Sequence, residues 1–391
     1  MTRDRFFAET PFFTEEHVPL AEGVADFVAR EIEPRADGEG RDEDEHFREM
    51  LDLLAQSGLL GYAVAAGGDA QPLDTRALCL VREALAYSSA MADLAFVMQG
   101  LGTYAVKLAA PEHVREFWLE RARSGKSIAA FALTEPEAGS DVSSIQTTAR
   151  RDGEAYVIDG RKCFISNAGV ADFYTVFART GTRADGRAEL SAFIVGARMP
   201  GFRVRSRTRL IAPHPIGEIE FENLRVPAEN RVGAEGDGFR LAMRTMDTFR
   251  ASVGAAACGM ARRALDESIA YAKSRKQFGV PLALHQLIQE KLAVMQTELD
   301  AARLLVYRAA HLRDAGSPHG PSLTRAASEA KLYATEAAGR IIDEAVQIHG
   351  GQGLVRGQPV ERLYRDVRAL RIYEGTSEIQ KLVIAREMLR E

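Results

Sequence analysis

In Ala155-Tyr-Val-Ile-Asp-Gly-Arg-Lys-Cys-Phe-Ile165, two runs of strand-forming residues flank an Asp-Gly pair. Asp159-Gly160 suits a tight type I′ turn, so the pattern predicts a β-hairpin closed at that dipeptide. Short β-like runs follow at residues 173–178, 190–195, 202–205 and 216–221. Gly181, Gly186, Pro200-Gly201 and Pro213 separate them. Short strands at this spacing predict a small barrel or sandwich over roughly residues 129–235.

On either side the period changes from two to that of a helix. Before residue 129, Val24, Phe27, Val28 and Ile32 follow helical spacing, as do Met50, Leu51, Leu54 and Leu60. Residues 94–108 are another apolar helical stretch, and Pro111 opens a helix that carries Trp118, the single tryptophan, as a core residue. From Gly238 onward three apolar stripes recur. They are Met246, Phe249, Val253, Ala257 and Met260; Leu284, Ile288, Leu292, Met295, Leu299 and Val306; and Leu323, Ala327, Ala330, Ala337, Ile341 and Ala345. A helix starting at Ser377 supplies a fourth, so a four-helix bundle is expected. The whole is α+β and multidomain: a helical domain at 1–128, a β domain at 129–237 and a bundle at 238–391.

At 391 residues, 46% hydrophobic and 27% charged, the composition is that of a globular protein with a large core. A net charge of −5 offers no field that draws the chain to nucleic acid or to an anionic membrane. No stretch is long enough to insert in a membrane, and the N-terminus lacks a signal-peptide core. The three cysteines, Cys79, Cys163 and Cys258, have neither metal-ligand spacing nor a pairing pattern. A reducing, cytoplasmic setting and no metal are expected.

Several segments carry chemistry-bearing residues, each with an ordinary structural alternative. In Arg371-Ile-Tyr-Glu-Gly-Thr-Ser-Glu-Ile-Gln380, Glu374 stands beside Gly375 on a loop entering a helix, with Ser377 and Gln380 as a capping box. It is a positioned base or an exposed loop acid. Phe131-Ala-Leu-Thr-Glu-Pro-Glu-Ala-Gly-Ser-Asp141 presents hydroxyls and open backbone to a polar ring edge or phosphate, or is a linker. In Lys162-Cys-Phe-Ile-Ser-Asn167, Phe164 and Ser166 share a strand face that covers a flat cofactor, or Phe164 is core. Ser274-Arg-Lys-Gln-Phe-Gly279, then His285-Gln286, offers Arg275 and Phe278 to a nucleotide, or ends a helix with Gly279 as its cap. Gln347-Ile-His-Gly-Gly-Gln-Gly353 is a glycine-rich turn open to a phosphate, or a helix stop. Asp247 and Arg250 lie one helical step apart, as functional groups or as a surface ion pair.

Taken together, the order and separation of these segments resemble the acyl-CoA dehydrogenase family, from about residue 14 to Leu389. The most specific pieces are Leu133-Thr-Glu-Pro-Glu-Ala-Gly-Ser-Asp141, Arg275-Lys-Gln-Phe-Gly279, Gln347-Ile-His-Gly-Gly351 and Ile372-Tyr-Glu-Gly-Thr-Ser-Glu378. The resemblance implies an N-terminal α-helical domain, a central β-barrel domain and a C-terminal four-helix bundle, with FAD as cofactor. It implies that Phe131, Leu133, Thr134, Ser140, Phe164 and Ser166 hold the isoalloxazine, with Ser166 near flavin N5. Arg275, Phe278, Gln286, Gln347, Gly350 and Gly351 would hold the pyrophosphate and adenine, and Thr376 and Glu378 would complete the site. Glu374 would remove the α-proton of an acyl thioester while a β-hydride leaves for the flavin. Ser140, Asp247, Arg250 and Gly375 would lie on the substrate side. A homotetramer (a dimer of dimers) and an electron-transferring flavoprotein or similar acceptor are expected as partners.

Two departures from the family pattern stand out. Many members have tryptophan and threonine where this chain has Phe164 and Ser166. The segment Leu210-Ile-Ala-Pro-His-Pro-Ile-Gly217 replaces a Gly/Arg/Ser/Asp-rich stretch. Glutaryl-type members of the family have an arginine in the stretch aligned with residues 88–99 and this chain has none there, so the resemblance disfavours a dicarboxylyl substrate; a short or medium acyl group is expected. An acyl group carried on a carrier protein, an oxidase-type relative and a non-catalytic binding protein remain as alternatives.

Overall fold

In the computed structural model of the protein, residues 6–65, 72–184, 186–316 and 322–390 are described. Helices come first: α1 (Phe6–Glu9), α2 (His17–Phe27), α3 (Glu43–Gln56), α4 (Thr75–Ser88), α5 (Ala90–Ala109) and α6 (Glu112–Arg123). Strands follow: β1 (Ala129–Ala132), β2 (Thr148–Asp152), β3 (Ala155–Ser166), β4 (Phe173–Thr182), β5 (Ala188–Gly196), β6 (Phe202–Arg207), β7 (Ile216–Pro227) and β8 (Arg231–Val232). Helix returns in α7 (Gly238–Ser274), α8 (Gln286–Asp314), α9 (Leu323–His349), α10 (Pro359–Val367) and α11 (Ser377–Met388). A small hairpin, β9 (Lys276–Gln277) and β10 (Val280–Pro281), joins α7 to α8. Among the described residues no helix is long and apolar enough to cross a membrane.

The first eight strands make one sheet in the order β6-β7-β3-β2-β4-β5-β8, with β1 parallel to β4. The hairpin expected at Asp159-Gly160 is not there. β3 runs on through both residues, paired antiparallel with β7. The chain reverses instead at the earlier Asp152-Gly153, where Gly153 has a φ of 62° and links β2 to β3. Gly160 serves a bulge. A Cβ on it would lie 2.5 Å from Thr147 Oγ1, so glycine is needed there for close approach rather than for reversal.

By their internal contacts the residues form two units: Met1–Gly40, Asp74–Asp93 and Asp247–Glu391 in one, Arg41–Leu73 and Leu94–Met246 in the other. The first is built on α7, α8 and α9. Val253 and Ala257, Met295 and Leu299, and Ala330 and Ile341 are all buried, as the stripes predict. Alanines and Gly254 let the helices approach closely; a Cβ on Gly254 would lie 2.7 Å from Val306. Leu284 departs from its stripe, being 63% exposed and ahead of α8. The second unit buries Phe173 and Phe177 of β4 and Leu190 and Ile194 of β5 with Val106 of α5. Half-buried Trp118 packs on Phe173, with ring centroids 4.2 Å apart.

Candidate active site

Glu374 sits in the turn that enters α11. Its φ of 53° is left-handed, a conformation that is strained for a side chain of this size, and Gly375 follows at 91°. Gln380 Nε2 clamps the turn, donating to the carbonyls of Glu374 at 3.1 Å and Gly375 at 3.0 Å. Lys331 Nζ, from α9, donates to the Gly375 carbonyl at 2.8 Å. The expected capping box of Ser377 and Gln380 is not formed. Thr376 is the N-cap, accepting from the Ile379 N–H at 3.3 Å. Ser377 instead donates to Glu336 at 2.6 Å, and Gln380 is spent on the turn.

The Glu374 carboxylate is set apart by what it lacks. Its Oε2 is buried and has no hydrogen-bond partner among the described residues. Burial raises the carboxyl's pKa, and Arg82, Lys331 and Arg250 work against that rise. Arg82 is itself held by Asp93 through two bonds of 2.8 and 2.7 Å, and by Ser252 at 2.9 Å. Buried Arg250 pairs with Asp247, whose other oxygen accepts from Thr324 at 2.8 Å. It is no surface ion pair: Arg250 is 4% exposed, and its buried Nε has no hydrogen-bond partner among the described residues. Lys331 is fully buried, which brings its pKa down to about 8. An ionisable oxygen with no partner, facing several cations, suits a group that must accept a proton from something else.

In the other unit, Phe131 lies half-buried on β1, its ring centroid 5.0 Å from that of Phe177. The loop that follows is fixed to β3 from beneath. Lys162 Nζ donates to the Leu133 carbonyl at 3.0 Å and to Glu135 at 2.7 Å, and the Cys163 N–H donates to the Thr134 carbonyl at 3.0 Å. Ser140 stands exposed farther along this loop. Phe164 is not core: it has a φ of 52°, interrupts the β3–β7 register and is 61% exposed. Ser166 Oγ lies 2.8 Å from His214 Nε2, and burial brings the His214 pKa down to about 4.

Gly279 is not a helix cap. Phe278 and Gly279, at φ of 51° and 83°, form the turn of the β9–β10 hairpin. Phe278 is 94% exposed, and Arg275 and Gln286 stand exposed beside this hairpin. Gln347, Gly350 and Gly351 are exposed at the end of α9, where a Cβ on either glycine would meet no atom within 4 Å. Tyr271 of α7 stacks on His349 of α9 with centroids 4.4 Å apart, which brings these two groups of residues to one end of the bundle. Glu378 is exposed; its own N–H and then the Thr376 hydroxyl lower its pKa.

Three family models cover the chain: the N-terminal domain of acyl-CoA dehydrogenase at residues 14–126, the middle domain at 130–224 and the C-terminal domain at 236–389. The chain belongs to the acyl-CoA dehydrogenase family. It is an oxidoreductase. It is 41% identical over 347 residues to a cyclohexane-1-carbonyl-CoA dehydrogenase of Geobacter metallireducens, covering 88% of this chain and 90% of that one. It is 39% identical over 384 residues to a 3-(aryl)acrylate reductase of Clostridium sporogenes, covering 97% of this chain and all of the other. A solved acyl-CoA dehydrogenase of Bacillus anthracis complexed with FAD matches with a TM-score of 0.87 at 32% identity, over 97% of this chain and 68% of that one.

Sequence reasoning missed Arg82 with Asp93 and Lys331, gave Gln380 a capping role in place of its clamp on the turn, and gave Glu135 and Lys162 no role of their own. Two left a trace. Lys331 interrupts the alanine stripe of α9, and Arg82 falls between Leu78 and Leu85 on the buried face of α4. A charge on an apolar stripe is a sign of a buried partner.

Proposed function

We propose that the protein desaturates an acyl thioester between its α and β carbons, with Glu374 as the base. FAD is the cofactor, and when bound it supplies the hydride acceptor at N5. The unpartnered, buried Oε2 of Glu374 carries this reading, because a structural carboxylate would have its oxygens satisfied. Glu374 takes the α-proton, and its own backbone N–H is offered to the thioester carbonyl, where negative charge develops. Arg82, Lys331 and Arg250 keep the carboxylate ionised as substrate displaces water. Asp247, Arg250 and Gly375 border the substrate, and Ser140 the CoA moiety.

The residues fit a flavin. Phe164 offers an exposed ring on strained backbone, and Ser166 a hydroxyl beside it in sequence. With Phe131, Leu133 and Thr134 they would hold the isoalloxazine. Arg275, Phe278, Gln286, Gln347, Gly350 and Gly351 would take the pyrophosphate and adenine, with Thr376 and Glu378 completing the set. The exposed Phe278 and Leu287 support a homotetramer in which a neighbouring subunit covers this end of the bundle. We further propose domain boundaries after residues 128 and 237, an electron-transferring flavoprotein or similar acceptor, a cytoplasmic setting, and a CoA or carrier-protein thioester as substrate. A ring-bearing acyl group is the substrate class that the Geobacter metallireducens relative favours.

An anaerobic absorbance titration with a panel of acyl-CoA thioesters tests this. Bleaching of the flavin band by one member of the panel, lost in Glu374→Gln, is expected. A bound flavin that no thioester, CoA- or carrier-linked, bleaches would contradict it. The reductase among the relatives favours one second reading, the same bond reduced rather than oxidised. Reoxidation of the pre-reduced protein by a 3-arylacrylate, with no bleaching by saturated thioesters, would establish that direction.

A further inference from the structure

Ser166 ends β3, and its hydroxyl is joined to a residue 48 positions later in the chain. That residue, His214, lies between Pro213 and Pro215, so its backbone has little freedom. The segment is tied to the end of β3 by the two residues that follow His214. The Asn167 N–H donates to the Pro215 carbonyl at 2.6 Å, and Ile216 pairs with Ser166 in the β3–β7 register. The Thr208 N–H closes the loop on the Ile216 carbonyl at 2.9 Å. The imidazole is thus held by the sheet at 2.8 Å from Ser166 Oγ.

A lone serine hydroxyl rotates among staggered positions and points where solvent allows. A fixed ring nitrogen on one side removes that freedom and leaves one defined direction for a second bond. We propose that His214 is a positioning residue, which fixes the direction in which the Ser166 hydroxyl meets the edge of the flavin. This rests on the assignment of Ser166 to the flavin site. Burial keeps the ring neutral at ordinary pH. A neutral imidazole either donates or accepts at Nε2, so the hydroxyl is free to accept or donate on its other side. A ring atom that changes from acceptor to donor on reduction, as flavin N5 does, can be met in both states. His214 acts through Ser166.

The test uses full-length protein stripped of flavin and reloaded with FAD. The dissociation constant and the flavin midpoint potential are measured for wild type, Ser166→Ala, His214→Asn, His214→Gln and the double variant Ser166→Ala/His214→Asn. The glutamine amide reaches the place of the ring Nε2, and the asparagine amide falls short of it. His214→Asn is expected to weaken FAD binding by about three- to tenfold, the loss of one hydrogen bond. It should also move the potential in the same direction as Ser166→Ala, while His214→Gln stays near wild type. In the Ser166→Ala background His214→Asn should add nothing. Equal values for His214→Asn and wild type, or an undiminished effect in the absence of Ser166, would overturn the role of His214 alone. Wild-type protein that takes up no FAD would overturn the functional reading and this inference with it.

Discussion

The molecule sets two glutamates with buried carboxylate oxygens near cations and treats them in opposite ways. Glu135 accepts from Lys162 at 2.7 Å, from the Gln146 N–H at 2.6 Å and from the Thr147 N–H at 3.0 Å. Burial would raise its pKa, but Lys162 and these bonds hold it below the usual carboxylate range. Glu374 also feels nearby cations, yet its Oε2 has no hydrogen-bond partner among the described residues and its pKa is raised. Nearby positive charge is common to both. Hydrogen bonds to the carboxylate itself separate them, and they divide a carboxylate that fastens a loop from one that is available to a substrate.

The sharpest way to break this comparison is to neutralise each glutamate in turn. Glu374→Gln should cost at least about 10²–10⁴-fold in desaturation rate, the usual worth of a positioned base. Its thermal midpoint should hold or rise, because no bond to Oε2 is lost; a fall of several degrees would place Glu374 among structural residues. Glu135→Ala should do the reverse. It strands the buried Lys162 ammonium, and the urea midpoint should report a loss of about 3–5 kcal/mol at pH 7. A loss within about 0.5 kcal/mol, the range of an ordinary surface change, would mean that the pair fastens nothing.

His214 extends the comparison to a half-buried base that keeps a hydrogen bond, and whose pKa burial and then the like charge of Arg207 bring down. Its folded pKa of about 4 lies below the ordinary 6.5. As pH falls through 6.5 the unfolded chain takes up a proton that the folded chain refuses until about pH 4, so stability drops across that window. Between pH 7 and pH 5 wild type should lose about 2 kcal/mol relative to His214→Gln in urea titrations. Parallel curves would contradict the neutral ring. The smallest effect concerns Lys331. Glu374 works as a base only when ionised, so kcat/KM should rise with pH through a pKa above the ordinary carboxylate range. Lys331→Met removes a cation that favours the ionised form, and the rising limb should move to higher pH. A limb that stays in place, or moves down, would remove Lys331 from the electrostatics of the base.

Much of this was legible in the sequence, for a definite reason. The succession of helix, strand and helix follows from periodicity, and runs such as 173–178 and 190–195 fall inside β4 and β5. Local signals failed where two sites competed for one meaning. The chain has Asp-Gly at 152 and at 159, and only contact with Thr147 reveals that the second glycine is there for space. Thr376 and Ser377 are both good caps, and Glu336, far away in sequence, takes Ser377 out of the competition. Glu374 itself could be picked out by its neighbours in sequence. Its electrostatics could not, because Arg82, Arg250 and Lys331 reach it from three different helices. The Ser166–His214 contact was hidden for the same reason: a strand end and a proline-flanked loop meet only once the sheet has formed.

The central claim is that the free oxygen of Glu374 takes the α-proton. The most direct measurement is proton exchange in heavy water, followed by nuclear magnetic resonance, with an acyl thioester that has no β-hydrogen to transfer. Wild-type protein should wash deuterium into the α position, and Glu374→Gln should not. Exchange that survives in Glu374→Gln at the wild-type rate would mean that another group is the base.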